Sequence, residues 1–182
     1  MVNMYKLKLT NLQQEILRLL SINAGMSLNA RSISKRLGVS QPAVSKALPR
    51  LQKLDFIGIK KDNESKRLSI WLNRDNQKVI WMKRADNIKQ VYESGLVEFL
   101  YKIYPAATVV IFGSYAFGED AIDSDVDLAV IGEEEKDINF EKFSKLLERN
   151  VVANYYKNFR IINKHLLNNI LNGIIIKGAI EI

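Results

Sequence analysis

Two aspartates separated by a single residue, Asp125 and Asp127, are the side chains of this sequence best suited to chemistry. They begin the run DVDLAVIG, whose apolar residues predict a β-strand. Because side chains alternate along a strand, both carboxylates would share one face, about 6 to 7 Å apart. Carboxylate oxygens at that separation can converge on Mg²⁺. By itself such a pair is also common as a solvated strand end, so the spacing makes Asp125 and Asp127 candidates for metal ligands and catalytic residues.

The second chemical feature is the dipeptide Gly113-Ser114, which directly follows the apolar run ATVVIF. The run predicts another strand, and the small residues after it predict a tight turn. Glycine lets the backbone approach a phosphate closely, and the serine hydroxyl can bind one together with neighbouring backbone amides. Gly113 and Ser114 are therefore the predicted phosphate-binding residues.

The strand, the Gly-Ser turn and the Asp-x-Asp strand together resemble the signature of minimal nucleotidyltransferases of the DNA polymerase β superfamily. The resemblance rests on the segment VVIFGSYAFGEDAIDSDVDLAVIG. It implies that Gly113 and Ser114 bind a nucleoside triphosphate, with ATP as the expected nucleotide. It also implies that Asp125 and Asp127 bind Mg²⁺ and that a nucleoside monophosphate is transferred to an acceptor. The flanking segments VYESGLVEFLYKIYP and LLNNILNGIIIKGAIEI resemble archaeal-type proteins that fuse a winged helix to this domain.

Two positions depart from the family pattern. Many members have arginine where this chain has Phe117, and phenylalanine cannot assist phosphate binding. Active members usually add a third carboxylate on a later strand, for which the candidate here is NYYKNFRII. That stretch contains no Asp or Glu, and Asn158 and Arg160 occupy its expected inward positions. The predicted metal site therefore lacks its third protein ligand.

Helical periodicity and apolar runs predict the elements around these residues. Residues 75–104 are expected to be mostly helical, with a break near Gly95. Further on, the pattern predicts helices at 140–150 and 165–171, a strand at FRII (159–162) and a packed apolar tail, GIIIKGAIEI. Strands that alternate with helices predict a small α/β domain with a mixed sheet.

The N-terminal part has the pattern of a helix-turn-helix followed by a hairpin. Residues able to cap successive helices stand at three places, Thr10, Ser27 or Asn29, and Ser40. Gly38 is expected in the turn between the second and third helices. Apolar residues on either side of the polar stretch KKDNESK predict a two-stranded wing. Pro49 lies inside the third helix and is expected to shorten or bend it.

The segment VSQPAVSKALPRLQKLDFI resembles the recognition helix and wing entry of MarR-like regulators, which implies binding to double-stranded DNA. In such a fold the third helix enters the major groove and the wing lies beside it. Glutamine can pair with adenine, and lysine and arginine neutralise phosphates. The predicted DNA contacts are Gln41, Ser45, Lys46 and Arg50 on the helix and Lys60, Lys61, Lys66 and Arg67 on the wing.

Charge is distributed unevenly, because residues 1–90 have 18 basic and 6 acidic side chains whereas residues 91–182 have 9 and 14. The basic half suits a polyanion such as DNA, although basic side chains also serve solubility. The chain has no cysteine and a single histidine, His165, which excludes thiolate sites and multi-histidine zinc sites. No apolar run approaches the roughly 18 residues of a membrane span, so we expect a cytoplasmic protein without a membrane partner.

The fold class predicted from these patterns is a two-domain one. We expect an α+β winged helix-turn-helix domain at 1–74, a helical connector with the first helix of the next domain at 75–104, and a minimal nucleotidyltransferase domain at 105–182. One functional hypothesis is a DNA-associated nucleotidyltransferase. The alternative is a non-enzymatic transcriptional regulator whose second domain senses a nucleotide or binds a protein partner, as an antitoxin would. A homodimer is expected, since helix-turn-helix regulators commonly bind paired half-sites.

Overall fold

The structure is a computed structural model that describes residues 9–63 and 67–181. The chain divides into two compact units, Met1–Val79 and Ile80–Ile182, and the boundary falls within a helix. Within the described ranges, no helix combines the length and the apolar character that a membrane crossing requires.

Three helices and a hairpin make up the first unit. They are α1 (Asn11–Ile22), α2 (Ala30–Leu37), α3 (Gln41–Lys53), β1 (Ile57–Lys61) and β2 (Leu68–Leu72). Strands β1 and β2 pair antiparallel, and the other edge of β2 forms a bridge between Ile70 and Leu28. This arrangement confirms the predicted winged helix-turn-helix.

Local capping explains where these helices begin. The side chains of Thr10, Asn29 and Ser40 each accept a hydrogen bond from a backbone N–H in the first turn of α1, α2 and α3, respectively. Gly38 ends α2 in the left-handed conformation, with φ of 65°, which frees the chain to enter α3. The predicted cap positions are confirmed, and Asn29 rather than Ser27 caps α2.

One apolar stripe from each helix forms the core of the first unit. The fully buried members include Ile16 and Leu20 of α1, Ile33 of α2, and Val44 and Leu51 of α3. Each such side chain stabilises the fold by about 1.5 to 3 kcal/mol relative to an exposed position. The hairpin adds residues to the same core, which attaches the wing to the helices.

Pro49 does not shorten α3, because the helix continues for four more residues to Lys53. The side chain of Pro49 is exposed, so the ring meets no core residue. Proline has no N–H, which leaves the carbonyl of Ser45, four residues earlier, without its usual partner in the helix.

The second unit contains a four-stranded sheet surrounded by helices. Its elements are α4 (Gln77–Glu93), whose first three residues belong to the first unit, α5 (Leu96–Ile103), β3 (Thr108–Phe112), α6 (Gly113–Phe117), β4 (Val126–Ile131), α7 (Glu141–Leu147), β5 (Val151–Tyr156), a short 3-10 helix (Phe159–Ile161), α8 (Lys164–Leu171) and β6 (Ile174–Lys177). The break expected near Gly95 separates α4 from α5, and Gly95 has φ of 77°. The apolar tail forms β6.

The strand order in this sheet is β5-β4-β3-β6. Strands β4 and β5 are parallel, whereas β3 pairs antiparallel with both β4 and β6. The predicted mixed sheet is therefore confirmed. One face, which includes Val126 and Leu128, packs with α5, α6 and α7, and the opposite face, which includes Phe112 and Ala129, packs with Phe159 and α8.

The strand predicted at residues 159–162 is wrong. The third strand of the sequence pattern lies earlier, at Val151–Tyr156, and Phe159–Ile161 form a 3-10 helix. The side chain of Asn158 accepts a hydrogen bond of 3.0 Å from the N–H of Arg160, which favours a turn over an extended chain. Asn158 and Arg160 are exposed and do not point inward from a strand, which corrects both expected positions.

Candidate functional site

The acidic pair, Asp125 and Asp127, lies where the chain enters β4. Asp127 is the second residue of the strand and is partly buried, whereas Asp125 directly precedes the strand and is exposed. Burial, and then the negative charge of Asp125, raises the pKa of the Asp127 carboxyl. The two carboxylates therefore interact unfavourably when both are ionised, and a cation placed between them would relieve that repulsion.

Gly113 lies directly against the Asp127 carboxylate. In the sheet Phe112 pairs with Asp127, so the residue after Phe112 emerges at the same end of β4. A Cβ atom built on Gly113 would stand 2.8 Å from Asp127 Oδ2, and the backbone there has φ of 72°. A residue with a Cβ atom would have to displace the carboxylate to fit at this position. The structure thus brings the predicted phosphate turn and the predicted metal ligand into contact.

Ser114 lies on the more accessible side of the five-residue helix α6. Tyr115 and Ala116 are buried in the core of the second unit, whereas Ser114 and Phe117 are partly exposed. Residues three apart in a helix lie on one side, so Ser114 and Phe117 are neighbours on the side away from the core. Gly118 ends α6 with φ of 76°.

A buried ion network holds the segment between α6 and β4, and sequence reasoning missed it. Asp120, which is 1% exposed, receives Lys83 Nζ at 2.5 Å on Oδ1 and Arg149 Nη2 at 3.0 Å on Oδ2. Asn87 donates a hydrogen bond of 2.8 Å to the same carboxylate and a second, of 3.0 Å, to the carbonyl of Tyr115. These contacts join α4, the end of α6 and the start of β5, and so fix the loop that carries Asp125.

Strand β5 places uncharged side chains beside the acidic pair. Val152 is the direct partner of Asp127 in the parallel register, and paired residues of parallel strands point to the same face. Asn154 and Tyr156 follow on that face of β5. Burial, and then the charge of Asp127, raises the pKa of Tyr156, which marks this tyrosine as a neighbour of the site. Across the described ranges, no three acidic or histidine side chains cluster in a way that could hold a metal ion.

An open cavity of about 430 Å³ adjoins Asp125. Ser124 and Asp125 line one part of it, and Ser144, Lys145 and Arg149 line another. The cavity lies between the loop before β4 and the α7 region, so it offers space for a second molecule beside the acidic pair.

The predicted DNA contacts of the first unit are distributed over an exposed surface. Gln41, Ser45, Lys46 and Arg50 are all exposed on α3, opposite the buried Val44, Ala47, Leu48 and Leu51. Lys60, Lys61 and Arg67 are exposed on the wing. Lys66 lies outside the described residues. The basic side chains of helix and wing therefore face solvent, as a phosphate-binding surface requires.

Comparison with known protein families finds a match that lies within the second unit. Residues 93–176 match the family model of the nucleotidyltransferase domain, a range that includes Gly113, Ser114, Asp125 and Asp127. No curated protein matches the chain.

Several solved structures show partial similarity. The MepR–DNA complex from S. aureus is 24% identical, covers 52% of this chain and 81% of that one, and gives a TM-score of 0.38. AdcR from Streptococcus pyogenes is 30% identical over 54% of this chain and 70% of its own, with a TM-score of 0.38. A ZitR variant from Lactococcus lactis is 26% identical over 55% and 66%, with a TM-score of 0.42. The first unit has the winged helix-turn-helix fold, and residues 93–176, within the second unit, match the nucleotidyltransferase domain family.

Proposed function

We propose that the second unit binds a nucleoside triphosphate, with ATP as the expected nucleotide, together with Mg²⁺ and transfers a nucleoside monophosphate to an acceptor. Asp125 and Asp127 would bind the metal ion, and Gly113 and Ser114 would bind the phosphates. The observation that carries the proposal is the contact between Gly113 and the Asp127 carboxylate, because it joins a phosphate-compatible turn to a metal ligand.

The donor set fits Mg²⁺. Both groups are carboxylates, which are the ligands this ion prefers, and the ion usually keeps several waters and accepts substrate phosphates as further ligands. Repulsion from Asp125 contributes to the raised pKa of Asp127. A cation bound by both carboxylates would offset that repulsion, which favours cation binding at this pair. When bound, Mg²⁺ would neutralise charge on the triphosphate and on the departing pyrophosphate.

The residues of the chain contribute mainly by positioning the reactants. The ion network around Asp120 holds the loop before β4, so that Asp125 keeps its place beside Asp127. Gly113 keeps the turn close to the carboxylate, and the Ser114 hydroxyl can donate to a phosphate oxygen. Phosphoryl transfer requires little covalent chemistry from the protein, so the positioning of the reactants supplies much of the catalysis.

The transfer reaction is tested with ATP labelled at the α-phosphate, MgCl₂ and the full chain, alone and with candidate protein or nucleic-acid acceptors. We expect label transfer that is lost in Asp125→Asn and Asp127→Asn. A matched control is Asp137→Asn, which removes an exposed carboxylate elsewhere in this unit. Transfer that survives both substitutions would contradict the assignment of the acidic pair.

A second candidate function is favoured by Val152. An aliphatic side chain occupies the position beside Asp127 from which a third carboxylate could reach the same metal ion. In this alternative the second unit binds the nucleotide without transferring it, and the bound nucleotide changes the affinity of the first unit for DNA. Tight ATP binding without label transfer, accompanied by a nucleotide-dependent change in DNA affinity, would support the regulator over the enzyme.

We also propose that the first unit binds double-stranded DNA through α3 and the wing. The support is the exposure of Gln41, Lys46, Lys60 and Lys61 on the surface opposite the core. Charge reversal of Lys46, Lys60 and Lys61 together should weaken duplex binding and reduce its salt dependence, by nearly one unit of log–log slope for each phosphate that is no longer neutralised. The homodimer expected of such a regulator stays a prediction.

The matched control for this experiment reverses three exposed lysines of the second unit, Lys102, Lys142 and Lys164, so that the net charge changes equally. If both triple variants lose DNA affinity to the same extent, net charge explains the binding and the proposed surface is wrong. The two triple variants are compared by titrating a labelled duplex at several salt concentrations.

A further inference from the structure

Arg84 of α4 lies beside the end of α6, next to Phe117 and Gly118. Its guanidinium carbon is 5.8 Å from the centroid of the Phe117 ring. The backbone of Gly118 packs closely on α4. A Cβ atom built on Gly118 would stand 2.7 Å from the backbone nitrogen of Arg84. The end of α6 is therefore held against the turn of α4 that carries Arg84.

The position of Phe117 relates Arg84 to the candidate phosphate turn. Ser114 and Phe117 are one helical turn apart on the partly exposed side of α6. With a rise of about 1.5 Å per residue, the five residues of α6 span only about 7.5 Å. A cation that lies on the Phe117 ring is consequently close to the end of α6 where Gly113 and Ser114 meet the Asp127 carboxylate.

Arg84 differs from the neighbouring cations of this unit in the groups that surround its charge. Lys83 and Arg149 are buried and both bind the Asp120 carboxylate. Arg84 is partly exposed, its guanidinium lies over the Phe117 ring, and no acidic side chain in the part of the chain that the structure describes forms an ion pair with it. A guanidinium fixed on an aromatic face without an acidic partner remains available to an anion.

We propose that Arg84 binds the triphosphate of the nucleotide and provides the positive charge that an arginine at position 117 would otherwise supply. The inference rests on the proposed nucleotide site. It places the phosphates on the side of α6 that faces Arg84. The proposed metal-binding carboxylates lie at the opposite end of α6, where Gly113 meets Asp127. Guanidinium groups suit this role because their planar donors match phosphate oxygens in pairs. Phe117 acts as a positioning residue, since its ring carries the guanidinium.

The test is calorimetric titration of the full chain with ATP in MgCl₂ and, separately, with AMP. Arg84→Ala should weaken ATP binding by at least about tenfold, which corresponds to the loss of a hydrogen-bonded charge. AMP binding should change by less than about threefold, because AMP lacks the phosphates that Arg84 would contact. A structural defect would weaken the binding of both nucleotides and lower Tm. The ratio of the ATP and AMP affinities therefore separates a phosphate contact of Arg84 from a structural role.

Two further variants complete the test. Lys89→Ala removes an exposed cation from the same helix, one that pairs with Glu93 at 3.6 Å, and should leave both affinities unchanged. Adding Phe117→Arg to the Arg84→Ala variant should restore ATP binding, because the charge returns to the same side of α6. Unchanged ATP affinity in Arg84→Ala, or an equal loss for ATP and AMP, would overturn the role of Arg84 while leaving the nucleotide site intact. If the unaltered chain binds neither nucleotide, the proposed function and this inference both fail.

Discussion

Two sets of carboxylates lie within eight residues of each other, and their environments are opposite. Asp120 is fully buried and is surrounded by Lys83, Arg149 and Asn87. Asp125 is exposed and Asp127 is partly buried, and the pKa of Asp127 is raised by that burial and by the charge of Asp125. A carboxylate provided with partners stabilises the fold, whereas a pair left in mutual repulsion costs stability and is available to an external cation.

The strongest test of this contrast is Asp120→Asn. The substitution removes the buried negative charge that Lys83 and Arg149 both bind, and removing one partner of a buried ion pair typically costs about 3 to 5 kcal/mol. We expect a loss of that size in the free energy of unfolding of the second unit, measured by denaturant titration. The control is Asp123→Asn, an exposed site that should change the free energy by no more than about 0.5 kcal/mol. Similar losses in both variants would show that burial does not distinguish these aspartates.

Gly113→Ala should have the next largest effect. A side chain at a positive φ costs about 1 to 3 kcal/mol, and here the added Cβ would also push against Asp127 Oδ2. We expect lower stability together with weaker binding of ATP and Mg²⁺, measured by thermal denaturation and calorimetry.

Gly95→Ala is the matched control for this substitution. Gly95 has φ of 77°, but no atom lies within 4 Å of the place that an alanine Cβ would occupy, so it shares the backbone cost and lacks the contact. Gly95→Ala should therefore lose stability and keep nucleotide affinity. Equal nucleotide affinities in the two variants would mean that the Gly113 contact has no part in binding.

Val152→Asp would sharpen the comparison by adding a third carboxylate beside Asp127. We expect the affinity for Mg²⁺ to rise by about tenfold, which corresponds to about 1.4 kcal/mol. Without metal, the same variant should be less stable than the unaltered chain because three carboxylates then repel one another. The control is Val152→Asn, which adds a polar side chain of similar size without the charge. Equal Mg²⁺ affinities for the aspartate and asparagine variants would exclude position 152 as a ligand position.

Asp127→Asn should give the smallest change in stability, and of opposite sign to that of Asp120→Asn. The folded-state pKa of Asp127 is raised, so its contribution to stability is complete below the unfolded pKa and is lost as pH rises through the folded pKa. Asparagine cannot ionise and escapes that loss. In EDTA, Tm of the variant should match or exceed that of the unaltered chain at neutral pH, and the difference should shrink toward about pH 3. A variant that is less stable at neutral pH would contradict the repulsion between Asp125 and Asp127.

Local sequence patterns predicted the parts of the site that depend on neighbouring residues. The phosphate turn, Gly113-Ser114, directly follows an apolar strand, and the acidic pair, Asp125 and Asp127, lies at the start of another. Alternation along β4 places Asp127 on the face opposite to the core residues Val126 and Leu128. The caps of the first unit were predicted for the same reason, since a cap needs only residues within one turn.

Long-range pairing explains what the sequence did not reveal. Lys83 and Arg149 stand 37 and 29 positions from Asp120, and nothing local distinguishes Asp120 from the other aspartates of its loop. The inward positions expected for Asn158 and Arg160 are wrong because β5 is Val151–Tyr156 and does not extend to either residue. Only the parallel register of β4 and β5 identifies Val152 as the neighbour of Asp127.

The central claim is that the acidic pair and the Gly113 turn form one site for Mg²⁺ and a nucleoside triphosphate. Its most direct test is ATP binding to the full chain with and without Mg²⁺, in the unaltered protein and in Asp127→Asn. We predict binding that requires Mg²⁺ and that the substitution weakens by at least about tenfold. ATP affinity that depends neither on Mg²⁺ nor on Asp127 would contradict the claim.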